Sequence, residues 1–509
     1  VRMNGQVVGP WQRRGLVGYV PQQDALCPLD RVQEAVAFAA TASGVANLEL
    51  DDSKERLIKE LSPGQRRITS VVVELARRPC VLALDEPTSG LDATSSVELM
   101  GLLKDTSKSL PVIATLHQPR PEIARLLTHV LIMANGQVCT CLPYEDFARE
   151  MLPSPNAQLQ DLDAVEEAFA HLQELREKKL VRTFEPTQGL SPPRARGRAG
   201  PLTLTSAVLS REVTRVFERN WSRPLRFFAA WGVVAPLLLG VSYMDMDFSD
   251  DLDGIRSILG VLSAVNTIIA ASTISRIAEF HETRRHCLHE LESKVMSPVL
   301  QAACQTLMSW VVRLPALAAF SIILTLFAGL RNDSTKRIVY LGINLLTAVA
   351  MGLLADALSA FSSKQATAVN YYAGLTLIML MAGTPLVMTD FRPDSRSAVV
   401  EEVRDGSWMT RISLFTSAAN AQLNNEMIGR NFTNEVELPP VDLPGEDWLG
   451  ILNVSKGVGR EIGILFGWVA VLWLVVVVGL FMSVWPRKRA ARTASRSPAD
   501  WLLQGFHKL

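Results

Sequence analysis

The stretch VLALDEPTSGLD, Val81–Asp92, decides how the first part of the chain is read. Four apolar residues run as a strand, and the strand ends in two adjacent carboxylates, Asp85 and Glu86, before a Pro/Gly turn. An Asp at such a strand tip can orient Mg²⁺ beside a phosphate, directly or through water. The neighbouring carboxylate can polarise an attacking water. The plainer alternative, a buried strand whose acids merely cap the next helix, does not account for so long a patterned run. Outward from it, GLVGYV (Gly15–Val20), PVIATLH (Pro111–His117) and HVLIMANGQV (His129–Val138) also read as strands, and RPEIARLL before the last of them reads as a short helix. Strands alternating with helices predict a parallel sheet covered by helices, an α/β fold.

The second half of the chain is different. The 509 residues are 48% apolar and 20% charged, with a mean hydropathy of +0.17. Lys+Arg and Asp+Glu both number 51, so no global positive field exists to hold a nucleic acid. Six apolar runs, near 227–244, 257–275, 295–330, 338–363, 365–389 and 462–485, each reach about the 20 residues needed to cross a bilayer. No comparable run precedes them. The sequence therefore predicts a domain over 1–150, a linker over 151–204 with a Pro/Gly/Arg-rich part at 186–201, a membrane domain over 205–486 and a basic tail over 487–509. Residues 205–224 read as an amphipathic helix on the membrane surface.

Charge sets the expected topology. The linker before the first span and the tail WPRKRAARTASR after the last are basic, which places both termini in the cytoplasm and demands an even number of spans. The sequons at Asn332, Asn431 and Asn453 then all fall in exterior loops, the longest being 390–461. The cysteines, at 27, 80, 139, 141, 287 and 304, all lie off the exterior loops, so no structural disulfide is expected.

Around the Asp85–Glu86 strand lie GYVPQQD (Gly18–Asp24), LSPGQRR (Leu61–Arg67) and a strand ending at His117. In this order they resemble the Q-loop, signature, Walker B with D-loop, and switch histidine of an ABC-transporter ATPase. MNGQVV, DEPTSGLDATSS, TLHQPRPEI, RNWSRP and NNEMIGRNF, together with an ATPase placed before the membrane domain, resemble the G subfamily of the white/pleiotropic-drug-resistance type. The resemblance covers essentially the whole chain. It implies an ABC-type α/β P-loop ATPase domain, incomplete at its N-terminus, followed by an all-α six-span membrane domain. It also implies a half-transporter that works as a homodimer or heterodimer in a lipid bilayer, using ATP and Mg²⁺ to move a lipophilic small molecule or lipid, with no nucleic-acid partner. Carried over residue by residue, Gln22 lies near Mg²⁺ and the attacking water, Asp85 helps hold Mg²⁺, Glu86 is the general base and His117 contacts the γ-phosphate. Asp92 communicates across the dimer, and Ser62, Gly64 and Gln65 complete the partner's nucleotide site.

Four departures stand out. No G-x-x-x-x-G-K-[ST] occurs, and GLLKDTSKS at 101–109 lacks the second Gly and follows the wrong strand. With Val1 in place of Met, the expectation is a chain that starts downstream of its P-loop; the alternative is a degenerate or regulatory half. Pro63 replaces the first signature Gly and removes an N–H. The interval from Gln22 to Ser62 is short for the subfamily, and the exterior loop lacks the cysteines of some members. Inside the spans, Asn266, Arg313, Asn344, Asp356 and Asn370 are the polar exceptions, which either mark a pathway or bind helices together. The charged segment 276–294 is expected to be a cytoplasmic loop docking on the ATPase domain, through residues such as Arg284 and Arg285.

Overall fold

A computed structural model describes residues 2–3, 6–7, 16–44, 55–117, 119–134, 137–151, 199–243, 252–293, 295–327, 333–383, 413–434, 441–451, 454 and 457–484. The chain divides into two compact units. The first takes in residues up to Val208 together with His289–Ser297, and the second takes in Leu209–Leu288 and Pro298–Trp485.

In the first unit, β1 (Val17–Val20), β2 (Val81–Leu84) and β3 (Val112–Ala114) form a parallel sheet in that order. Parallel neighbours need crossovers, supplied by α1 (Val32–Ala42) and α2 (Pro63–Ala76) between β1 and β2, and by α3 (Ala93–Ser107) between β2 and β3. Val20, Val71, Leu82, Leu84, Leu99, Met100, Leu103 and Ile123 close the core between sheet and helices. A second cluster, Val36, Ala39, Ile58, Leu61 and Val73, joins α1 to α2. Two helices of this layer start on side-chain caps. Ser62 caps α2 with Pro63 behind it, and Asp92 caps α3. After the short α4 (Pro121–Ala124), the run read as one strand is a hairpin, β4 (His129–Ala134) antiparallel to β5 (Gln137–Pro143), followed by α5 (Tyr144–Met151). The Asn-Gly pair at 135–136, a strong hairpin signal, lay inside that run.

Among the described residues, the second unit is helical apart from one hairpin. The segment expected as an amphipathic helix is α6 (Pro201–Val213) running into a π-helical turn at Thr214–Glu218. Next, α7 (Ser222–Phe227) passes through a π-helical stretch, Phe228–Val234, into α8 (Ala235–Tyr243). There follow α9 (Leu252–Thr273), α10 (Ser275–Glu292), α11 (Pro298–Phe327), α12 (Ser334–Phe361) and α13 (Gln365–Gly383). The unit ends with α14 (Leu414–Met427), the hairpin β6 (Asn431–Asn434) with β7 (Val441–Pro444), α15 (Gly445–Ile451) and α16 (Val458–Val484). Among the described residues, five helical segments are long and apolar enough to cross a membrane: Ser222–Ser242, Gly254–Glu292, Pro298–Phe327, Ser334–Phe361 and Val458–Val484. The remaining expected span begins as α13, and the rest of it, with linker residues 152–198, the basic tail, Asn332 and Asn453, lies outside the described residues.

Two expectations are corrected here. Within the segment 276–294, expected as a loop, α10 continues the second span as helix as far as Glu292. The long segment 390–461 is not only loop. Leu414, Phe415, Ala418, Ala421, Leu423 and Met427 of α14 are buried, and α14 joins a core shared by α9, α11, α12, β6 and α15. Its Asn- and Gln-rich sequence hides that burial, because amides satisfied by one another read as solvent-facing.

Candidate functional site

Parallel strands deliver their C-terminal ends to one edge of a sheet, and ligands of α/β proteins bind there. Pro21 and Gln22 follow β1, Asp85 and Glu86 follow β2, and Thr115 to His117 follow β3. The three segments are tied together. The Asp85 amide donates to the Val20 carbonyl at 2.9 Å, and the Thr115 amide donates to the Leu84 carbonyl at 3.0 Å. The Thr115 hydroxyl donates to Asp85 Oδ1 at 2.9 Å while accepting the Glu86 amide at 2.8 Å. Tyr19 Oη donates to Asp85 Oδ2 at 3.3 Å. Burial, then the Asp85 charge, pushes the Tyr19 phenol up to about 12. Gln22 Nε2 donates to Glu86 Oε2 at 2.7 Å.

Glu86 has φ +44°, a left-handed conformation that a non-glycine residue holds at a cost of order 1–3 kcal/mol. The turn after it, with Gly90 at φ +75°, returns the chain to Asp92. Strain of this kind gathers where a side chain must be aimed. Here it turns Glu86 out of the strand and onto Gln22. His117 is exposed, past the end of β3, and takes no part in the bonds that hold Glu86.

The signature residues form a second group. The Gln65 amide donates to Ser62 Oγ at 3.2 Å, and the Ser62 amide donates to Gln65 Oε1 at 3.2 Å, a complete capping box. Pro63 sits at the first helical position, where a missing N–H is harmless to the helix and the fixed φ suits it. Gly64 is required by its neighbour: a Cβ there would meet Ser95 Oγ at 2.6 Å and Ser95 Cβ at 2.7 Å. Ser95 is in the first turn of α3, and its amide donates to Asp92 Oδ2 at 3.0 Å. The Ser95 hydrogen bonds hold the Asp92 carboxyl below its ordinary value. Ser62, Gly64, Gln65 and Asp92 therefore share one corner, where the starts of α2 and α3 meet.

Several supporting residues escaped the sequence reading. Arg67 on α2 is 4% exposed and donates to the Pro21 carbonyl, to the Gln22 carbonyl at 3.3 Å and to the Asp85 carbonyl at 2.7 Å. Burial lowers its guanidinium's pKa, opposed by Asp24 and Asp85. Helical spacing puts Gly64, Arg67, Val71 and Glu74 on one buried face, a signal the motif reading passed over. Glu74 pairs with Arg77 and accepts from His289 Nε2 at 2.8 Å inside the first unit. Burial raises the Glu74 carboxyl, but Arg77 and His289 outweigh it and leave it below its ordinary value. Thr115 and Tyr19 lay in recognised strands but gave no signal of their own.

In the second unit the intramembrane charges Arg313 and Asp356 both find partners. Arg313 donates to Glu279 at 3.1 and 2.8 Å, to Ser309 at 2.9 Å and to Ser275 at 2.8 Å, and its guanidinium lies 5.0 Å from the Phe227 ring centroid. Arg276 grips Asp356 with two hydrogen bonds, at 3.1 and 2.5 Å. Asn266 and Gln422 exchange hydrogen bonds at 3.1 and 3.3 Å, Gln422 donates to Asn344 at 2.7 Å, and Asn344 donates to Ser321 at 3.1 Å. Asn370 is exposed on α13. Arg284 donates to the carbonyls of Ser359 (2.7 Å) and Ser362, so it serves the second unit.

The family model described as "ABC transporter" matches residues 1–89, and the model described as "ABC-2 type transporter" matches residues 203–427. ABC transporter G family member 8 of Arabidopsis thaliana is 26% identical over 403 residues, 75% of this chain and 67% of that protein. Member 4 of the same plant is 26% identical over 316 residues, 58% of this chain and 54% of that protein. Member 6 is 33% identical over 162 residues, 27% of this chain and 22% of that protein. The chain thus spans at most about two thirds of the length of these relatives. The chain thus carries an ABC-type ATPase domain followed by a helical domain of the ABC-2 type, and it resembles the G family of ABC transporters.

Proposed function

We propose that this chain is one half of an ATP-driven transporter that moves a lipophilic small molecule or lipid across a membrane, paired with a second copy or another half-transporter. The observation that carries the hydrolytic part is the Gln22 Nε2 to Glu86 Oε2 hydrogen bond of 2.7 Å at the carboxyl edge of the sheet, beside Asp85. Asp85 and Gln22 offer the hard oxygen donors that Mg²⁺ prefers. They fit the metal and water side of a nucleotide site, while the phosphate-gripping Gly-rich loop has no counterpart in this sequence. Bound MgATP supplies the phosphoryl group to be transferred and the cation that offsets its charge.

In this reading Asp85, oriented by Thr115 and Tyr19, faces the metal. Glu86, steered by its left-handed backbone and by Gln22, aligns a water and accepts its proton at a carboxylate oxygen. His117, free to reach outward, contacts the transferred group. Ser62, Gly64 and Gln65 face the partner's nucleotide, with Asp92 beside them reporting across the dimer. Glu74, on the same helix as Ser62, pairs with His289 within the first unit, which supports the placement of the signature helix. Exposed Asn431 on β6 agrees with an exterior hairpin and cytoplasmic termini.

The test is Glu86→Gln in the assembled dimer. Nucleotide binding should persist and turnover should fall by about 10²–10⁴-fold, the usual range for loss of a general base. Turnover near wild type would remove Glu86 from the role. A second reading, a regulatory half that depends on a competent partner, draws on Pro63, which removes an N–H from the signature. Hydrolysis that occurs only when a second half-transporter is co-assembled would select it.

A further inference from the structure

We propose that Arg67 is a positioning residue: its guanidinium fixes the two peptide groups from which Gln22 and Glu86 spring, and so holds Gln22 against Glu86. The inference rests on the hydrolytic reading of the Asp85–Glu86 strand tip and names what sets its geometry.

The carbonyls that Arg67 binds are not scattered. Those of Pro21 and Gln22 flank the Gln22 backbone on both sides, and that of Asp85 belongs to the peptide leading into Glu86. One planar cation thus clamps two segments 64 residues apart, at the base of the side chains whose tips meet at 2.7 Å. A guanidinium can do this because its N–H groups are fixed in a fork; a lysine ammonium is a single flexible point charge. Glu86 needs such a support, since its φ of +44° is held against its own preference. Asp24, 3.8 Å from Arg67, offsets the charge without taking the donors away from the carbonyls. Arg67 also rides on α2, the helix that Ser62 caps, so a displacement of the signature end moves the clamp. The geometry therefore lets the state of the signature reach the water-aligning pair inside one chain.

The test compares Arg67→Lys and Arg67→Met with wild type in the full-length protein. Hydrogen exchange without nucleotide reads the clamp directly. The Asp85 amide, bonded to Val20, and the Glu86 amide, bonded to Thr115, should exchange about tenfold faster or more, the effect of losing a charge-assisted hydrogen bond. Amides of Leu82 and of α3 should be unchanged. Steady-state hydrolysis by the assembled dimer reads the consequence. Arg67→Lys should lower kcat while KM for ATP stays within about twofold, and adding Gln22→Ala should lower kcat little further, because both act through one contact. Exchange that is unchanged, or that rises throughout the first unit, would overturn the proposal, as would additive effects of Arg67→Lys and Gln22→Ala. An inert Glu86→Gln would instead sink the hydrolytic reading, and the exchange measurement is independent of it.

Discussion

The strand-tip site around Asp85 and the buried cluster around Arg313 both gather charge, on opposite plans. At the strand tip the carboxylates are held by neutral groups: Asp85 by the hydroxyls of Thr115 and Tyr19, Glu86 by the amide of Gln22. The one guanidinium bonded there, Arg67, spends its hydrogen bonds on carbonyls. In the second unit Arg276 and Arg313 face Glu279 and Asp356, two charges against two, each pair joined directly. In the proposed hydrolytic reading, acids kept short of protein cations leave room for a bound one. A cluster whose charges cancel asks for nothing further, and reads as a staple between α10, α11 and α12. The difference settles how Arg313 and Asp356 are best understood, which their positions in sequence left open between pathway and structure.

The comparison can be broken first at its structural end. Asp356→Leu leaves Arg276 in a dry interior with its longer 3.4 Å contact to Glu279, which Arg313 already engages, and should destabilise the second unit by about 3–5 kcal/mol, the usual range for removing one partner of a buried pair. Adding Arg276→Met should recover most of that loss, because Arg313 and Glu279 remain paired with each other. Thermal unfolding in detergent checks both; a double variant as unstable as the single would mean that Arg276 or Asp356 does more than neutralise. Next in size is Gly64→Ala, whose Cβ would lie 2.6 Å from Ser95 Oγ. It should cost about 1–3 kcal/mol by overpacking and be relieved by Ser95→Gly, as read by unfolding of the first unit. Smallest is Pro63→Gly. Because Pro63 suits the first helical position, its loss should cost only about 0.4–1 kcal/mol, through the freer unfolded chain. A larger loss would assign Pro63 a packing role that its position does not show.

Much of the first unit was legible because its signals are local. The apolar run to Leu84, the acids after it and the Ser62 cap all state their structure within a few residues, and the sheet followed from strand–helix alternation. Arg67 was not legible, since nothing in LSPGQRR distinguishes the arginine that turns inward from the one that does not; only the helical register with Gly64, Val71 and Glu74 does. The His129–Val138 run misled because β-propensity outweighed the Asn-Gly pair inside it, a turn signal in sequence. In the second unit, hydropathy located the spans, but α10 was hidden by its charges and α14 by its amides. Their partners, Asp356 for Arg276 and Asn266 and Asn344 for Gln422, are 80, 156 and 78 residues away. Pairings at that separation leave no local trace.

The most direct test of the contrast is one substitution made in both places: Asp85→Asn and Asp356→Asn, each unfolded without nucleotide or Mg²⁺ and followed unit by unit by hydrogen exchange. At Asp85 the partners are hydroxyls, which can turn from donor to acceptor and receive the new amide. At Asp356 the partner is a guanidinium, which can accept nothing. Asp85→Asn should leave the first unit within about 0.5 kcal/mol of wild type or make it more stable, as expected where an acid is kept for a ligand. Asp356→Asn should cost the second unit about 3–5 kcal/mol. Equal losses in the two units would contradict the account, for Asp85 would then be a structural charge like Asp356 and the strand tip would lose its claim to be a cation site.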